Sequence, residues 1–312
     1  MVLAKEFIRE QKMTVLLFCM VVIMSIASPS FLLGANIINI LVQTSIYGIM
    51  ACGMTYAIIG AEFDLSVGSI MSLGGLISIL LAPVTGQIFA IIIAIAAGCI
   101  VGLVNGLLVS WANISSFIVT IGTMGLVKGI SLKISGGKPI ISGNPWFGYI
   151  GSGTFLGIPN LLIFFALAIV ISAYCLSRTR FGRNVYTVGG NMEVAHNSGI
   201  NVIFQKTAIF VISALTAAIA GILLASRLNA GSAIHGDSAA LAVISGVVIG
   251  GTSLSGGVGS IYKSMIGIII FTLITNSLDL LGVFSYYQTA IRGVLLVLII
   301  GVGAYSRYAK KN

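Results

Sequence analysis

The sequence predicts an all-α polytopic membrane protein, on three observations. Its 312 residues are 58% hydrophobic and 7% charged, with a mean hydropathy of +1.12. A soluble domain carries about 25% charged residues, so this chain cannot cover itself for water, and most of its surface must face lipid. Apolar runs of roughly 20 residues, the length of a membrane crossing, recur from one end of the chain to the other. Turn-forming residues fall between these runs, in "SPSFLLGAN", "GAEFD", "APVTGQ" and "WANISS".

Taken in order, the expected crossings are 13–31, 37–59, 64–82, 87–111, 116–135, 160–177, 205–226, 237–254, 258–278 and 286–306. The segment 237–254, rich in Gly, Ser and Ala, is the weakest of them. About ten transmembrane helices place both termini on one side, and residues 1–312 form a single transmembrane domain. The N-terminal "MVLAKEFIREQK" is charged, and no small-residue cleavage site follows closely. It reads as a retained cytoplasmic end rather than a signal peptide.

With that end inside, the cytoplasmic segments collect Lys5, Arg9, Lys12, Arg178, Arg180, Arg183, Lys206, Lys263, Arg307, Lys310 and Lys311. The external segments collect only Lys133, Lys138 and Arg227. Cations concentrate on the cytoplasmic side of membrane proteins, so both termini are expected to be cytoplasmic. Lys128 and Arg292 lie within spans, in the outer halves of their helices, where they are expected to snorkel outward. The net charge of +9 sits at the ends of apolar runs, with no basic stripe interleaved with aromatics, so nucleic acid is not an expected partner.

Catalytic constellations are missing from the sequence. There is no HExxH, and His196 and His235 are far apart. Glu193 and His196 make one ExxH where a di-iron site needs two. The "GTSL" at 251–254 has no histidine after it to serve as base. "GGVGSIYKS" has Tyr262 where a phosphate-binding loop needs glycine before Lys263. Cys19, Cys52, Cys99 and Cys175 lie singly in apolar runs, without metal or disulfide spacing. No catalytic residue, metal ligand or resident cofactor is expected, so energy must come from an ion gradient or from a partner. Glu62 and Asp64 are the candidate carboxylates for ion coupling. For Asp64 there is a plainer role, capping the following helix with Leu65, Ser66 and Val67 in its first turn.

Two exposed segments interrupt the apolar pattern. The longest external loop is 136–160, with three of the five prolines. The longest cytoplasmic loop, about 178–204, contains "RTRFGRNVYTVGGNMEVAHNSGINV". Within it, "NMEVAHNSG" predicts a short helix, capped by Asn191, with Glu193 in the first turn and Gly199 closing it. Met192 and Ala195 share a face at i, i+3. Two turns are not stable alone in water, so this helix needs a groove in a partner.

Glu193-Val194-Ala195, three residues, then Gly199 is similar to the EAA-x3-G loop by which permeases of ABC importers dock their ATPase. The fuller string resembles the ribose/galactose/xylose-type sugar permeases. "GAEFDLSVGSIMSLGG", "SSFIVTIGTMGLVKGI" and "VVIGGTSLSGGVGSI" resemble further blocks of that family, in order. The resemblance implies an ATPase-coupling loop that includes Arg180, Gly182, Arg183, Gly189, Gly190, Asn191, Glu193, Ala195 and Gly199. It also implies a cytoplasmic ATPase, expected to be double-cassette, that holds the ATP and Mg. An extracytoplasmic sugar-binding protein, a second permease copy forming a homodimer, and a location in the bacterial cytoplasmic membrane complete the expectation. The expected cargo is a monosaccharide of ribose type. The chain departs from the family where an acidic "ELDAIAA" is common. Ala240 and Ala242 stand in place of those acids, with Asp237 displaced by three residues.

A sugar wants neutral hydroxyl and amide partners. The spans offer Gln43, Thr44, Asn105, Thr120, Thr123, Thr275 and Asn276 as path candidates, each of which also suits an interhelical hydrogen bond. Other readings stay open at this stage: a related importer for an amino acid or nucleoside, or a secondary carrier working alone.

Overall fold

The computed structural model describes residues 12–294, 297–298 and 301. Its helices are α1 (Lys12–Ala27), α2 (Gly34–Ile59), α3 (Val67–Leu80), α4 (Ala82–Thr85), α5 (Gln87–Ser110) and α6 (Ser116–Ser135). After strand β1 (Ile140–Ile141) come α7 (Pro145–Ser152) and the hairpin strands β2 (Thr154–Phe155) and β3 (Ile158–Pro159). Helices α8 (Asn160–Arg178), α9 (Arg180–Gly190), α10 (Met192–Asn197) and α11 (Val202–Leu228) follow. Strand β4 (Ala230–Gly231), α12 (Ala239–Ile249) and α13 (Ile261–Leu280) complete the order, and 285–294 is again helical.

Among the described residues, α2, α5, α6, α8, α11 and α13 are long and apolar enough to cross a membrane. Three shorter apolar helices, α1, α3 and α12, occupy three more of the ten expected crossings. The expected span 286–306 lies partly outside the described residues, as does the N-terminal segment 1–11 with Lys5 and Arg9. Arg307, Lys310 and Lys311 also lie outside them.

Two expected spans are corrected. The segment 64–82 begins with non-helical backbone, and its helix α3 has 14 residues, about 21 Å at 1.5 Å per residue. The segment 237–254 yields only the 11-residue α12. Residues before it pass from the short β4 through successive turns alongside α3, where Gly231 lies against Leu76 and Gly236 against the Gly68 carbonyl. The Gly236 N–H donates to Ser72 Oγ at 2.9 Å. Backbone meets backbone here, so a continuous helix with side chains cannot occupy the same space.

Helix α11 runs through the centre, packed on α5, α3 and α2. On α5, Gly98, Gly102 and Gly106 repeat every fourth residue, and a Cβ on each would press on Ala218, Ala214 and Thr207 of α11. Such small-residue seams let helix backbones approach where lipid supplies no hydrophobic drive for association. Ile49, Met54, Ile58, Ile70, Val243 and Ile268 fill the main core. Buried hydroxyls tie its helices together. Tyr56 donates to the Ser172 carbonyl at 2.7 Å, and Thr55 donates to Ser264 Oγ at 2.9 Å.

The connections sort to two ends. At one end the Gly257 N–H donates to the Ile59 carbonyl at 2.8 Å, and the Phe63 N–H to Ser116 Oγ at 3.2 Å. At the other, β1 pairs with β4, and the Ser142 N–H donates to the Asn229 carbonyl at 2.9 Å. The loop 136–160 is built rather than loose. Asn144 caps α7 by accepting from the Trp146 N–H at 3.0 Å, Phe147 is fully buried, and Leu156-Gly157 turn the β2–β3 hairpin with positive φ at both.

Candidate functional site

The segment 178–204 carries three side-chain caps. Thr179 Oγ1 accepts from the Gly182 N–H at 3.2 Å, Asn191 Oδ1 from the Val194 N–H at 3.1 Å, and Asn201 Oδ1 from the Phe204 N–H at 3.0 Å. Each satisfies a donor that a helix start leaves unpaired. The first cap opens α9, a helix that the sequence reading missed. Its signal was present: Phe181, Val185 and Val188 recur at i, i+4, i+7. Val185 and Val188 are buried in the bundle, and Tyr186 donates to the Gly259 carbonyl at 2.8 Å.

Two of the expected coupling glycines therefore serve packing. A Cβ on Gly182 would collide with the Leu176 carbonyl, and one on Gly189 with the Ile59 carbonyl. Gly190 only grazes Gly257. The insert is thus no detached polar loop, as α9 packs into the end of the bundle that holds Ile59 and Gly259.

Helix α10 behaves differently. Of its six residues only Ala195 is buried. Met192 is 49% and Val194 52% exposed, and Glu193 is exposed beside them. Ala195 packs into the body of the protein, while Met192, three residues before it, stands half exposed. Gly199 closes the helix with φ +75°, and the Ile200 N–H donates to the Ala195 carbonyl at 3.1 Å. Arg178, Arg180 and Arg183 are all exposed.

Beside this segment, Lys206 Nζ lies 2.6 Å from Glu62 Oε1, with side chains 16% and 7% exposed. Glu62 is thus ion-paired. Asp64 is fully buried. Its Oδ1 accepts from the Ser66 N–H at 3.0 Å and from the Ser66 hydroxyl, while Oδ2 has no partner among the described residues. The expected cap is a turn preceding the helix. Ser66 stands at the N-cap position without capping it, because its hydroxyl is committed to Asp64 and receives the Asn105 Nδ2 at 3.0 Å.

The path candidates divide into two groups. Asn105 also accepts from Thr123 at 2.6 Å, and Thr120 donates to the Ser116 carbonyl at 2.7 Å and reaches the Phe63 carbonyl at 3.3 Å. These residues tie α5, α6 and the start of α3 together. Thr44 is buried with its hydroxyl unpartnered among the described residues, and Thr275 donates to its own helix at Phe271. Gln43 and Asn276, by contrast, line a cavity of about 500 Å³ near the N-terminal end of α2 and the C-terminal ends of α11 and α13. Asn36, Asn39, Tyr47, Arg227, His235 and Asp279 share its wall. None of these six is among the path candidates that the sequence offered. Asn36, Asn39, Gln43 and Tyr47 recur at i, i+3, i+7, i+11, a polar stripe along an otherwise apolar helix.

Each of the two cations expected to snorkel has a polar partner. Lys128 Nζ lies 2.8 Å from an Asp237 carboxylate oxygen, and Arg292 donates to Gln288 Oε1 at 3.1 Å. Ala240 and Ala242, at the expected acidic positions, are buried in the apolar packing of α12.

A family model described as "Branched-chain amino acid transport system / permease component" matches residues 36–300. The chain is 40% identical to the ribose import permease protein RbsC of Bacillus subtilis (strain 168) over 287 residues, 91% of this chain and 89% of the relative. It is 36% identical to the RbsC protein of Escherichia coli (strain K12) over 301 residues, covering 95% and 94% of the two chains. The D-allose transport system permease protein AlsC of the same strain is 36% identical over 275 residues, covering 88% and 84%. No solved structure shows significant similarity to the chain.

Proposed function

The chain belongs to the family of transport-system permease components whose model it matches, and on that footing we infer that it is the membrane-embedded permease of an ATP-driven sugar importer, with a monosaccharide of ribose type as cargo. The family description speaks of amino acids. The relatives named above are permeases for ribose and D-allose across nearly their whole lengths, and this supports the sugar reading.

The observation that carries the coupling half of this reading is α10. Met192 and Val194 stand about half exposed on a six-residue helix that cannot hold itself in water. A helix of this kind is stabilised by lying in a partner's groove. The proposed partner is a cytoplasmic double-cassette ATPase that holds ATP and Mg, with exposed Arg178, Arg180 and Arg183 toward an acidic rim of its groove. On the opposite side, exposed Trp146, Tyr149, Phe155 and Ile158 in the 136–160 segment suit an extracytoplasmic sugar-binding protein. The reading further takes the permease as a homodimer in the bacterial cytoplasmic membrane. It has ten crossings, both termini cytoplasmic, and one transmembrane domain over 1–312.

Copurification tests the reading. The tagged chain should bring down an ATPase from detergent-solubilised membranes, and Glu193→Lys should reduce that recovery at equal permease yield. An unsubstituted permease that transports sugar with no ATPase attached would overturn it.

A further inference from the structure

We propose that the cavity bordered by Asn36, Asn39 and Gln43 is a sugar-binding vestibule, a subsite where the polyol is held within the permease itself. The proposal rests on the importer reading above and names what one part of the path does.

The shape comes first. The polar stripe of α2 runs from Asn36 to Tyr47, about 16 Å of helix, and forms one wall of the cavity. At about 500 Å³ the space falls in the range of small-molecule sites, roughly 300–1,000 Å³.

The chemistry of the wall is the second argument. Asn36 and Asn276 hold each other reciprocally, Nδ2 to Oδ1, at 3.2 and 2.8 Å, which fixes α2 against α13. Their neighbours are not used up in this way. Asn39 Oδ1 accepts from Arg227 Nη2 at 3.5 Å, and its amide donor has no partner among the described residues. Nor does the Gln43 amide, although it lines the cavity. Amides both donate and accept, which is what a hydroxyl requires of its partner.

The floor is the third argument. Ile46 and Met71 are buried and line the same cavity with Leu224. A monosaccharide has a hydroxyl-rich edge and C–H faces, and a wall of amides beside an apolar floor matches both. The charged groups on the wall each touch a neutral amide: Asp279 Oδ1 accepts from Gln288 Nε2 at 2.8 Å, and Arg227 leans on Asn39.

The test uses intact cells that carry the whole importer. Asn39, which is exposed, is replaced in Asn39→Cys and modified with a membrane-impermeant thiosulfonate, with the unsubstituted chain as background. D-Ribose, D-allose or L-arabinose should slow modification at least several-fold, and L-leucine should not. In parallel, Gln43→Leu should lower the maximal sugar uptake rate about 3- to 10-fold, the loss expected for one hydrogen bond of ordinary strength. Membrane yield and ATPase recovery should stay unchanged. Modification unaffected by all three sugars, protection by leucine alone, or normal uptake in Gln43→Leu would overturn the vestibule. Failure of the unsubstituted chain to recover an ATPase would instead bring down the importer reading, leaving the protection experiment to stand by itself.

Discussion

Lys206 Nζ sits 2.6 Å from Glu62 Oε1, joining the turn after α2 to the second helical turn of α11. The pair is nearly buried, and α11 follows α10 after the turn 198–201. The ion pair therefore links the start of α11 to the Asp64 turn through a few residues of backbone.

Lys206→Met alone should destabilise the protein by about 3–5 kcal/mol, because it strands a buried carboxylate. The double change Glu62→Gln with Lys206→Met should recover most of that loss. Thermal unfolding of the detergent-solubilised protein measures both, and equal losses in single and double variants would refute the coupling. Since Lys206 neutralises Glu62, Glu62→Gln should also leave sugar uptake insensitive to a protonophore at constant ATP.

The docking segment should separate into two classes of variant. Val194→Asp and Glu193→Lys change exposed positions on α10. Glu193→Lys costs the helix about 0.3–1 kcal/mol through its dipole. Both should lose ATPase recovery while membrane yield holds. Gly189→Val should do the opposite first, lowering yield, because its side chain would strike the Ile59 carbonyl. Immunoblots of membranes beside copurification distinguish the two.

Topology can be read with single cysteines. Phe155→Cys, on the β2–β3 hairpin where Phe155 is 62% exposed, should react with an impermeant thiol reagent added to intact cells. Val194→Cys should react only after the membrane is opened. The reverse pattern would invert the bundle.

Lys128 and Asp237 test what replaces the missing acids of α12. Lys128 lies well inside the 20-residue α6, and an unpaired cation near the centre of a span costs about 2.5–3.5 kcal/mol. Asp237→Asn should therefore reduce membrane yield and uptake. Exchanging the two residues, Lys128→Asp with Asp237→Lys, should restore both. Uptake as poor in the exchange as in the single variant would show that more than charge balance is needed there.

The sequence by itself determined the membrane class, most of the helices and the short helix α10. Those features are local: about 20 apolar residues need lipid, and Asn191, Glu193 and Gly199 start and stop a helix by bonds within a few residues of themselves. It also held α9 and the polar stripe of α2 in legible form, as Phe181-Val185-Val188 and Asn36-Asn39-Gln43-Tyr47. A mostly apolar background hid both, because periodicity stands out weakly where nearly every position is apolar. Tertiary structure alone decided the rest. Composition could not show that 237–254 is broken, since the break comes from Gly236 meeting Gly68 across 168 residues of chain. Nor could it pair Glu62 with Lys206 or Lys128 with Asp237, or separate Gln43, which lines a cavity, from Asn105, which ties helices together. A polar side chain inside a bundle takes its role from the partner that packing brings to it, and that partner lies far away in sequence.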